Sequence, residues 1–310
     1  MAYTDRADLN YLGQLYLIGA YQTPFLNMIG GLSRGAKTTN SFNFPVAQPY
    51  SLRAADQSTA VKSEATSISD VTPITTTRGQ DYNTCQIMKY PYGVSYAKES
   101  TFGEISGLAI AGQQQPVQSE FSFQRMAQFR QMALDIEYSC LRGSYVAQST
   151  PSTVAKTRGI LEAISTSTQD ASAAALSKSL INTVLRAMAA GGAQFVNMVM
   201  FMGMFQKQAI SNLYGYAPES RNVGGVNINQ IETDAGPIGI VYDPFMPADD
   251  ILFAEMSVIS PMFCPHKGNI IEDKRVAETT AEEGGFWYTQ FGLDYGPEEY
   301  HGSLTNLATS

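Results

Sequence analysis

The sequence predicts an α+β fold, on three observations. Apolar residues recur at spacings of three and four between residues 116 and 142, which is typical of one long amphipathic helix. Short strand patterns occur before and after that helix, at 42–46 and 286–291. Residues 172–265 alternate helix and strand patterns, which indicates a mixed α/β unit.

Residues 1–33 are predicted to form an arm with one short helix. The segment at 23–31, TPFLNMIGG, places a short apolar run before two glycines, which would end the helix. The rest of the arm mixes Tyr, Leu and Gly without a longer pattern.

A Ser/Thr-rich stretch at 57–80 follows the first strand pattern. In the strand at 42–46, apolar and polar residues alternate, and Pro45 favours an edge position because proline cannot donate to a ladder. A polar stretch of this length cannot lie in a compact core without unmet backbone groups. We therefore predict a projecting β-hairpin, with a return arm from Tyr82 to Tyr96.

The long helix is bounded by Pro116 and Gly143. Proline suits a first helical position, where its missing N–H has no intrahelical partner. The apolar stripe consists of Met126, Phe129, Ala133, Ile136 and Cys140. At about 1.5 Å per residue the helix would be about 40 Å long, twice the radius of gyration of about 20 Å expected for a compact chain of this size. An elongated subunit is expected.

A second helix is predicted from Ser172 to Ala190, with Gly191-Gly192 as its terminator. Asp170 or Ser172 would be its N-cap. The residues predicted to face inward are Leu176, Leu180, Val184 and Met188.

The segment at 195–205 has a methionine at every second position from Met198 to Met204. In a strand, alternate residues share one face, so the methionines would line one face and the intervening apolar residues the other. A methionine row can form a soft-metal site or an adaptable binding surface. A central strand covered on both faces explains the pattern better.

The remaining elements complete the predicted α/β unit and the C-terminal part. They are a helix at 206–214, a hairpin of strands at 226–233 and 238–242, a strand at 251–256, and a strand at 286–291 opened by Gly284-Gly285.

Composition argues against several functional classes. Lys and Arg number 20 against 28 Asp and Glu, a net charge of −8 in 310 residues, and no basic run occurs, so a dedicated nucleic-acid binder is not expected. The charged fraction is only 15%. Neutral polar surface is less costly to desolvate than charge, which favours wide contacts between protein copies. The apolar stretch at 195–205 is too short to cross a bilayer, and the N-terminus lacks a signal-peptide layout, so we expect a cytosolic chain with no membrane partner.

Motifs for catalysis or metal binding are not found. The two histidines are His266 and His301, and Cys and His come close together only at 264–266, whereas a metal site needs three or four ligands. Cys85, Cys140 and Cys264 are far apart and odd in number, so we expect buried free thiols. No nucleophile elbow or phosphate-binding loop occurs.

The acidic residue pairs are also interpreted as structural rather than as catalytic or metal-binding. Asp249-Asp250 and Glu282-Glu283 lie beside Pro or Gly, where solvated turn carboxylates are ordinary. Asp135 and Glu137 are two apart on the long helix, cannot face one another, and are expected to pair with Arg at a subunit contact. We predict no catalytic, cofactor-binding or metal site, no cofactor and no enzyme activity, and instead an interaction protein.

Taken in order, the motifs resemble the major capsid protein of tailed bacteriophages of the Hong Kong 97 type, over nearly the whole chain. The resemblance is carried by PFLN at 24–27, the Ser/Thr-rich hairpin in the place of the extended loop, NTCQI at 83–87, VS at 94–95, DIEYSCLRG at 135–143, TRGIL at 157–161 and YHGSLTNL at 300–307.

The resemblance implies the α+β Hong Kong 97-type capsid fold in five parts. These are an N-terminal arm (1–33), an extended β-hairpin loop (34–82), a peripheral domain (83–171) with a spine helix at about 116–142, an axial α/β domain (172–265), and a return to the peripheral domain with a C-terminal tail (266–310).

The implied function is a structural major capsid protein that assembles through pentamers and hexamers into an icosahedral shell around double-stranded DNA, without sequence-specific binding. Scaffolding, portal and decoration proteins are further implied partners, and the implied location is the virion, after synthesis in the host bacterial cytoplasm. Some family members cross-link a lysine of the extended loop, where Lys62 lies, but no matching Asn and Glu is identified and no cross-link is predicted. The alternatives are a cytosolic α/β enzyme with an unrecognised site, or another virion structural protein such as a tail or decoration protein.

Overall fold

A computed structural model of the chain describes residues 22–32, 36–57, 60–68, 75–97, 120–214, 229–276 and 281–309. Within these ranges the strands form sheets of five, six and two strands.

The described helices and strands follow one another in mixed order. The helices are α1 (Pro24–Met28), α2 (Glu64–Ser67), α3 (Glu120–Arg142), α4 (Ile160–Ala163), α5 (Lys178–Gly191) and α6 (Met204–Tyr214), with a 3₁₀ turn at Glu298–Tyr300. The strands are β1 (Lys37–Thr38), β2 (Asn43–Ala47), β3 (Asp81–Thr84), β4 (Gln86–Ser95), β5 (Thr168–Asp170), β6 (Met198–Met202), β7 (Gln230–Thr233), β8 (Gly236–Tyr242), β9 (Ile251–Glu255), β10 (Ser260–Phe263), β11 (Ile271–Arg275), β12 (Glu282–Asp294) and β13 (Gly302–Thr305).

The five-stranded sheet is built around the 13-residue strand β12. β12 pairs antiparallel with β4, β10 and β11, and β1 adds to β10 in parallel. The spine helix α3 packs on one face, where the Trp287 indole N–H donates to the Arg125 carbonyl at 2.9 Å and the Tyr90 hydroxyl donates to Asp135 at 2.7 Å. These bonds set the helix direction against the sheet.

The six-stranded sheet has the order β5-β13-β9-β6-β8-β7, with β6 and β8 parallel. Every residue of β6 is buried. Its methionines, such as Met200, pack with α5 in one core cluster, whereas Val199 and Phe201 pack with the spine helix in the other. The prediction of a central strand covered on both faces is confirmed for residues 198–202, where the methionines are core rather than a binding surface. The predicted strand is too long, because α6 begins at Met204, and Met204 and Phe205 are 52% and 41% exposed.

The larger core cluster joins the two sheets. It includes Phe25 of α1, Ile136 of α3, Phe201 of β6, Leu252 of β9 and Phe291 of β12. The arm helix, the spine helix and both sheets therefore share one apolar interior.

The spine helix differs in part from its prediction. The described helix runs from Glu120 to Arg142 and ends as predicted at Gly143, while Pro116 lies outside the described residues. Of the predicted stripe, Ile136 and Cys140 are buried, but Met126 is 42% exposed. The helix meets the sheet through Phe121 and Phe129 near its N-terminal end, so Met126 lies to the side of the contact.

Two glycines let the end of the spine helix cross the TRGIL segment at van der Waals distance. The Gly159 N–H donates to the Gly143 carbonyl at 2.8 Å. A Cβ on Gly159 would lie 2.4 Å from the Gly143 nitrogen, and one on Gly143 would lie 2.6 Å from the Thr157 carbonyl oxygen. Two motifs that carried the resemblance are thus one backbone crossing in space.

The start of the second helix was predicted wrongly. α5 begins at Lys178, and the N-cap is Ser177, whose hydroxyl accepts the Leu180 N–H at 3.4 Å. Asp170 instead lies in β5, and Ser172 has a φ of 51°, which no helix tolerates. The predicted terminator is confirmed, since Gly192 has a φ of 92°.

The inward face of α5 is also shifted. The buried residues are Ile181, Val184, Leu185 and Met188. Leu176 precedes the helix and, like Leu180, is only partly buried. The shift follows from the later start, since Leu176 lies before α5 and Leu180 lies in its first turn, both at the rim of the cluster.

The base of the extended loop is a two-stranded ladder of β2 and β3, continued by a bridge between Tyr50 and Arg78. Strand pairing of the predicted hairpin is limited to this base, because the described residues between 51 and 77 form no strand and include the helical turn α2. The predicted return arm, Tyr82 to Tyr96, divides into two. Its first part pairs with β2, but β4 pairs with β12 over ten residues. β4 pairs with β12 rather than with β2 because the longer strand β12 pairs more backbone groups. This pairing also lets alternate side chains of β4 pack on the spine helix.

The sheets cross the predicted domain boundaries at four strands. β10, placed with residues 172–265, and β1, placed with the extended loop, join the five-stranded sheet. β5, placed with the peripheral domain, and β13, placed with the C-terminal return, pair with each other in the six-stranded sheet. Chain order did not show these crossings, because pairing is decided by which strands share a core. The five-part division itself stays a prediction.

Two smaller boundaries also differ. β7 begins at Gln230, and residues 226–228 of its predicted range lie outside the described residues. β12 begins at Glu282, so Glu282-Glu283 lie in a strand rather than a turn, paired with Ser95 and Val94.

Candidate functional site: surfaces for self-assembly

The two histidines lie in different settings and form no common site. His266 is exposed in the tight turn that closes at Asn269, with a backbone bond of 3.0 Å. His301 is fully buried between Glu255, whose N–H it accepts at 3.2 Å, and the Tyr295 carbonyl at 2.6 Å. Burial lowers the pKa of His301 to about 4, so it is neutral and structural.

The cysteines are free, as predicted, but only Cys85 and Cys140 are buried, whereas Cys264 is partly exposed. Burial raises the pKa of Cys85 to about 12, and it also raises the pKa values of Cys140 and Cys264. A thiol whose pKa lies above its usual range carries little thiolate at neutral pH. None of the three is an activated nucleophile.

The acidic residues singled out from the sequence serve as structural partners. Asp249 and Asp250 are both partly exposed, and Asp250 accepts the Asn306 N–H at 3.4 Å. Glu283 accepts from Arg275 at 2.6 Å, which corrects the solvated-turn interpretation. Asp135 accepts from Tyr90 rather than from an arginine.

Glu137 is the residue that sequence reasoning misplaced most. We expected it at a subunit contact, but it is fully buried within the subunit and accepts the Phe25 and Leu26 N–H groups at 2.8 and 2.7 Å. It supplies the cap that Thr23, which makes no side-chain cap bond, does not supply to α1. The one available signal was its position next to the buried Ile136 on the stripe.

Cavities offer no catalytic arrangement among the described residues. A shallow depression of about 490 Å³ near Ala173 and Asn306 has Asp249 as its one titratable lining residue, and a second of about 340 Å³ beside Phe205 and Leu213 has none. In the described part of the chain, no three His, Cys, Asp or Glu side chains group so as to hold a metal ion.

The extended loop is the first large exposed surface among the described residues. Every described residue from 50 to 80 is exposed. Three apolar side chains stand out, with exposed fractions of 74% for Leu52, 63% for Val61 and 87% for Ile68. Lys62 is exposed beside them. Apolar groups displayed together on a loop mark an interaction surface.

The second such surface is the face of the five-stranded sheet opposite the spine helix, which we call the outer sheet face. Strand register places Ile87, Lys89 and Pro91 of β4 beside Phe286 and Tyr288 of β12. The three β4 residues are exposed and the two aromatic ones partly buried, with the Lys89 ammonium 4.2 Å from the Phe286 ring centroid. The outer sheet face therefore offers aromatic and apolar area rimmed by a cation.

Two broad exposed surfaces, with no reactive cleft among the described residues, suit a self-assembling subunit. The family comparison agrees with it: the model of the SU10 major capsid protein family matches residues 2–308. The chain belongs to the SU10 major capsid protein family. This capsid protein is structural, not an enzyme, it forms shells of copies of itself, and its place is the virion.

Solved capsid structures share the fold of this capsid protein. The cyanophage A-1(L) capsid asymmetric unit is similar over 99% of this chain and 98% of that chain, at 13% identity and a TM-score of 0.64. The satellite phage P4 procapsid that includes size determination (Sid) protein is similar over 97% and 96%, at 12% identity and a TM-score of 0.52. The α+β Hong Kong 97-type capsid fold is confirmed.

The same fold occurs in the holo-SrpI encapsulin complex from Synechococcus elongatus PCC 7942, at 9% identity and a TM-score of 0.58 over 100% of this chain and 98% of that chain. Fold alone therefore does not identify a phage capsid, and the family match carries that conclusion. No curated protein sequence gives a significant match. None of the described helices combines the length and the apolar character that crossing a bilayer would take.

Proposed function

We propose that this capsid protein assembles through pentamers and hexamers into an icosahedral shell that encloses the double-stranded DNA of a tailed phage. The exposed extended loop is the observation that carries the proposal, because its apolar side chains have no partner within the described chain. A net charge of −8 suits a wall that encloses DNA without binding it tightly or by sequence.

The contact we propose places the extended loop of one copy on the outer sheet face of the next. Leu52, Val61 and Ile68 would supply the apolar groups, and Phe286 and Tyr288 would receive them. Capsomer contacts of this kind bury more than about 2,000 Å² when they are obligate. A loop whose described residues from 50 to 80 are all exposed adds area that a compact body of the same mass lacks.

The finer assignments follow the same proposal. The chain divides into the arm, extended loop, peripheral domain, axial domain and C-terminal return with the boundaries given above, except for the four strands that cross them. It is made in the cytoplasm of a host bacterium, and scaffolding, portal and decoration proteins join the shell.

Replacing residues 51–77 by a short Gly-Ser turn tests the role of the loop. The ladder of β2 and β3 and the bridge from Tyr50 to Arg78 lie outside the replaced segment, so the subunit should fold with a melting temperature close to that of the unaltered chain. Electron microscopy should show no closed shells.

The control is a chain in which residues 51–77 are kept but Lys62 is changed to Gln. Because no cross-link is predicted, this variant should form shells as the unaltered chain does. Normal shells from the loop-replaced chain would contradict the proposal, as would loss of its fold.

A further inference from the structure

Glu137 and Asp243 form a buried carboxyl pair where the arm helix, the spine helix and the six-stranded sheet meet. Both side chains are fully buried. Asp243 follows β8 and accepts the Phe245 N–H through Oδ1 at 2.8 Å. Glu137 holds the first turn of α1 from the spine helix. The pair therefore joins three parts of the chain that are distant in sequence.

The contact between the two carboxyls requires a proton. Asp243 Oδ2 is buried and receives no N–H or O–H donor from the described residues, yet the two side chains are hydrogen-bonded to each other. Ionised carboxylates only accept hydrogen bonds, so one of the two must be protonated. Burial and the Asp243 carboxyl raise the pKa of Glu137, and burial raises the pKa of Asp243.

The described residues around the pair contribute no compensating charge. Residues 24–28 of α1 contain no titratable side chain, and β6 and β9 present Phe201 and Leu252. On the spine helix the Cys140 thiol is the neighbouring titratable group, and burial raises its pKa well above the usual range, so it stays neutral. None of the salt bridges found among the described residues includes Glu137 or Asp243.

We propose that the Glu137–Asp243 pair is a proton-dependent latch that holds the N-terminal arm on the spine helix and opens when the shared proton is lost at alkaline pH. Loss of the proton leaves two negative charges in hydrogen-bond contact in a dry interior, where they repel strongly. Separation moves Glu137 away from the N–H groups of Phe25 and Leu26. Because α1 has five residues and no side-chain cap of its own, it then loses its anchor.

Hydrogen–deuterium exchange of the full-length chain tests the latch. Protection of residues 22–32, corrected for the intrinsic exchange rate, should fall by up to about tenfold per pH unit above the titration of the pair, within the range of about pH 7 to about pH 10. Residues 178–191 of α5 should keep their protection over the same range, which separates arm release from global unfolding.

Asp243→Asn is the matched variant, because its amide can donate to Glu137 and has no proton to lose. Its arm should stay protected at alkaline pH. Glu137→Gln replaces one of the two acceptor oxygens with an amide nitrogen, and its arm should exchange faster already at neutral pH.

Arm protection in the unaltered chain that does not change across this pH range would overturn the proposal. An equal alkaline loss in Asp243→Asn would also overturn it, since the loss would then come from another group. The unaltered chain alone decides the first outcome, even where a variant fails to fold.

Discussion

At the scale of single residues, the buried polar groups around His301 form hydrogen bonds with one another. His301 accepts the Glu255 N–H through Nδ1, so its proton lies on Nε2, facing the Tyr295 carbonyl. The Glu255 carboxylate in turn accepts the Asn197 N–H at 2.8 Å and the Ser257 hydroxyl at 2.6 Å. These groups join β9, the start of β6 and the approach to β13 into one network.

The neutral state of His301 predicts a loss of stability in acid. Its pKa is about 4 in the folded chain and about 6.5 when unfolded, so the unfolded state binds the extra proton between these values. Stability is present above about pH 6.5 and lost as the pH falls toward 4, by about 2 kcal/mol between about pH 7 and about pH 5. Urea unfolding of the unassembled subunit at both pH values measures this loss.

His301→Gln should lose most of that pH dependence, because the titrating imidazole is gone. His266→Asn, which removes the exposed histidine, should keep it. An unchanged pH dependence in His301→Gln would show that other groups cause the acid effect.

Gly302 is predicted to tolerate no side chain. A Cβ there would lie 2.6 Å from Met188 Sδ and 2.7 Å from Val184 Cγ1, where α5 packs on β13. Gly302→Ala should lower the unfolding free energy by about 1–3 kcal/mol through overpacking. Gly191→Ala is the control, since its Cβ would make an ordinary 3.5 Å contact with Glu299 and should cost little. Chemical denaturation of both variants makes the comparison.

At the scale of elements, the spine helix is stabilised by its position against both sheets. Its C-terminal half lies deep in the larger core, with Met132, Ile136 and Leu141 fully buried. Its N-terminal half meets the sheet edge-on, through Phe129 at 5.0 Å from the Trp287 ring centroid. Truncating a side chain should therefore change the unfolding free energy differently in the two halves of the helix.

Two methionines on this helix make the comparison direct. Met132→Ala removes a fully buried side chain and should cost about 2–5 kcal/mol of unfolding free energy, through lost burial and a cavity. Met126→Ala, at a position 42% exposed, should cost less than about 1 kcal/mol. Equal losses of unfolding free energy in the two variants, measured by urea unfolding, would contradict the difference in burial between Met132 and Met126.

At the scale of the whole molecule, stability and assembly depend on different surfaces. The larger core cluster joins both sheets, whereas the extended loop and the outer sheet face contribute little to it. Substitutions on the loop should therefore change shell formation without changing the fold.

Val61→Asp tests this separation. Val61 is 63% exposed, so the unfolding free energy of the subunit should stay within about 0.5 kcal/mol. Shell yield, measured by sedimentation and electron microscopy, should fall, because a charge would be desolvated in the proposed contact. Val154→Asp, 74% exposed and outside the loop, is the matched control and should assemble. A full yield of shells from Val61→Asp would contradict the contact.

Much of the fold could be predicted from local pattern. The stop of the spine helix at Gly143, the left-handed Gly192, the strand buried on both faces and the exposed Ser/Thr-rich loop all follow from properties of neighbouring residues. The absence of clustered reactive groups in the sequence likewise pointed to a structural protein, and the family match agrees.

Local sequence patterns did not predict which distant residues pair with one another. The pairing of β4 with β12, the pairing of β13 with β5 and the capping of α1 by Glu137 each join residues more than a hundred positions apart. From sequence alone, a carboxylate such as that of Glu137 is expected to face solvent or another charge. The structure shows that it accepts backbone N–H groups in the core.

Local patterns were therefore enough to predict the kinds of element and several of their ends, because periodicity and turn chemistry depend on neighbouring residues. The order of the motifs along the chain was enough to indicate the capsid family. The tertiary structure alone decided which strands pair and which carboxyls are buried together. The reason is physical: a strand edge or a carboxyl has several possible partners of equal chemistry, and the choice among them is made when the common core excludes water.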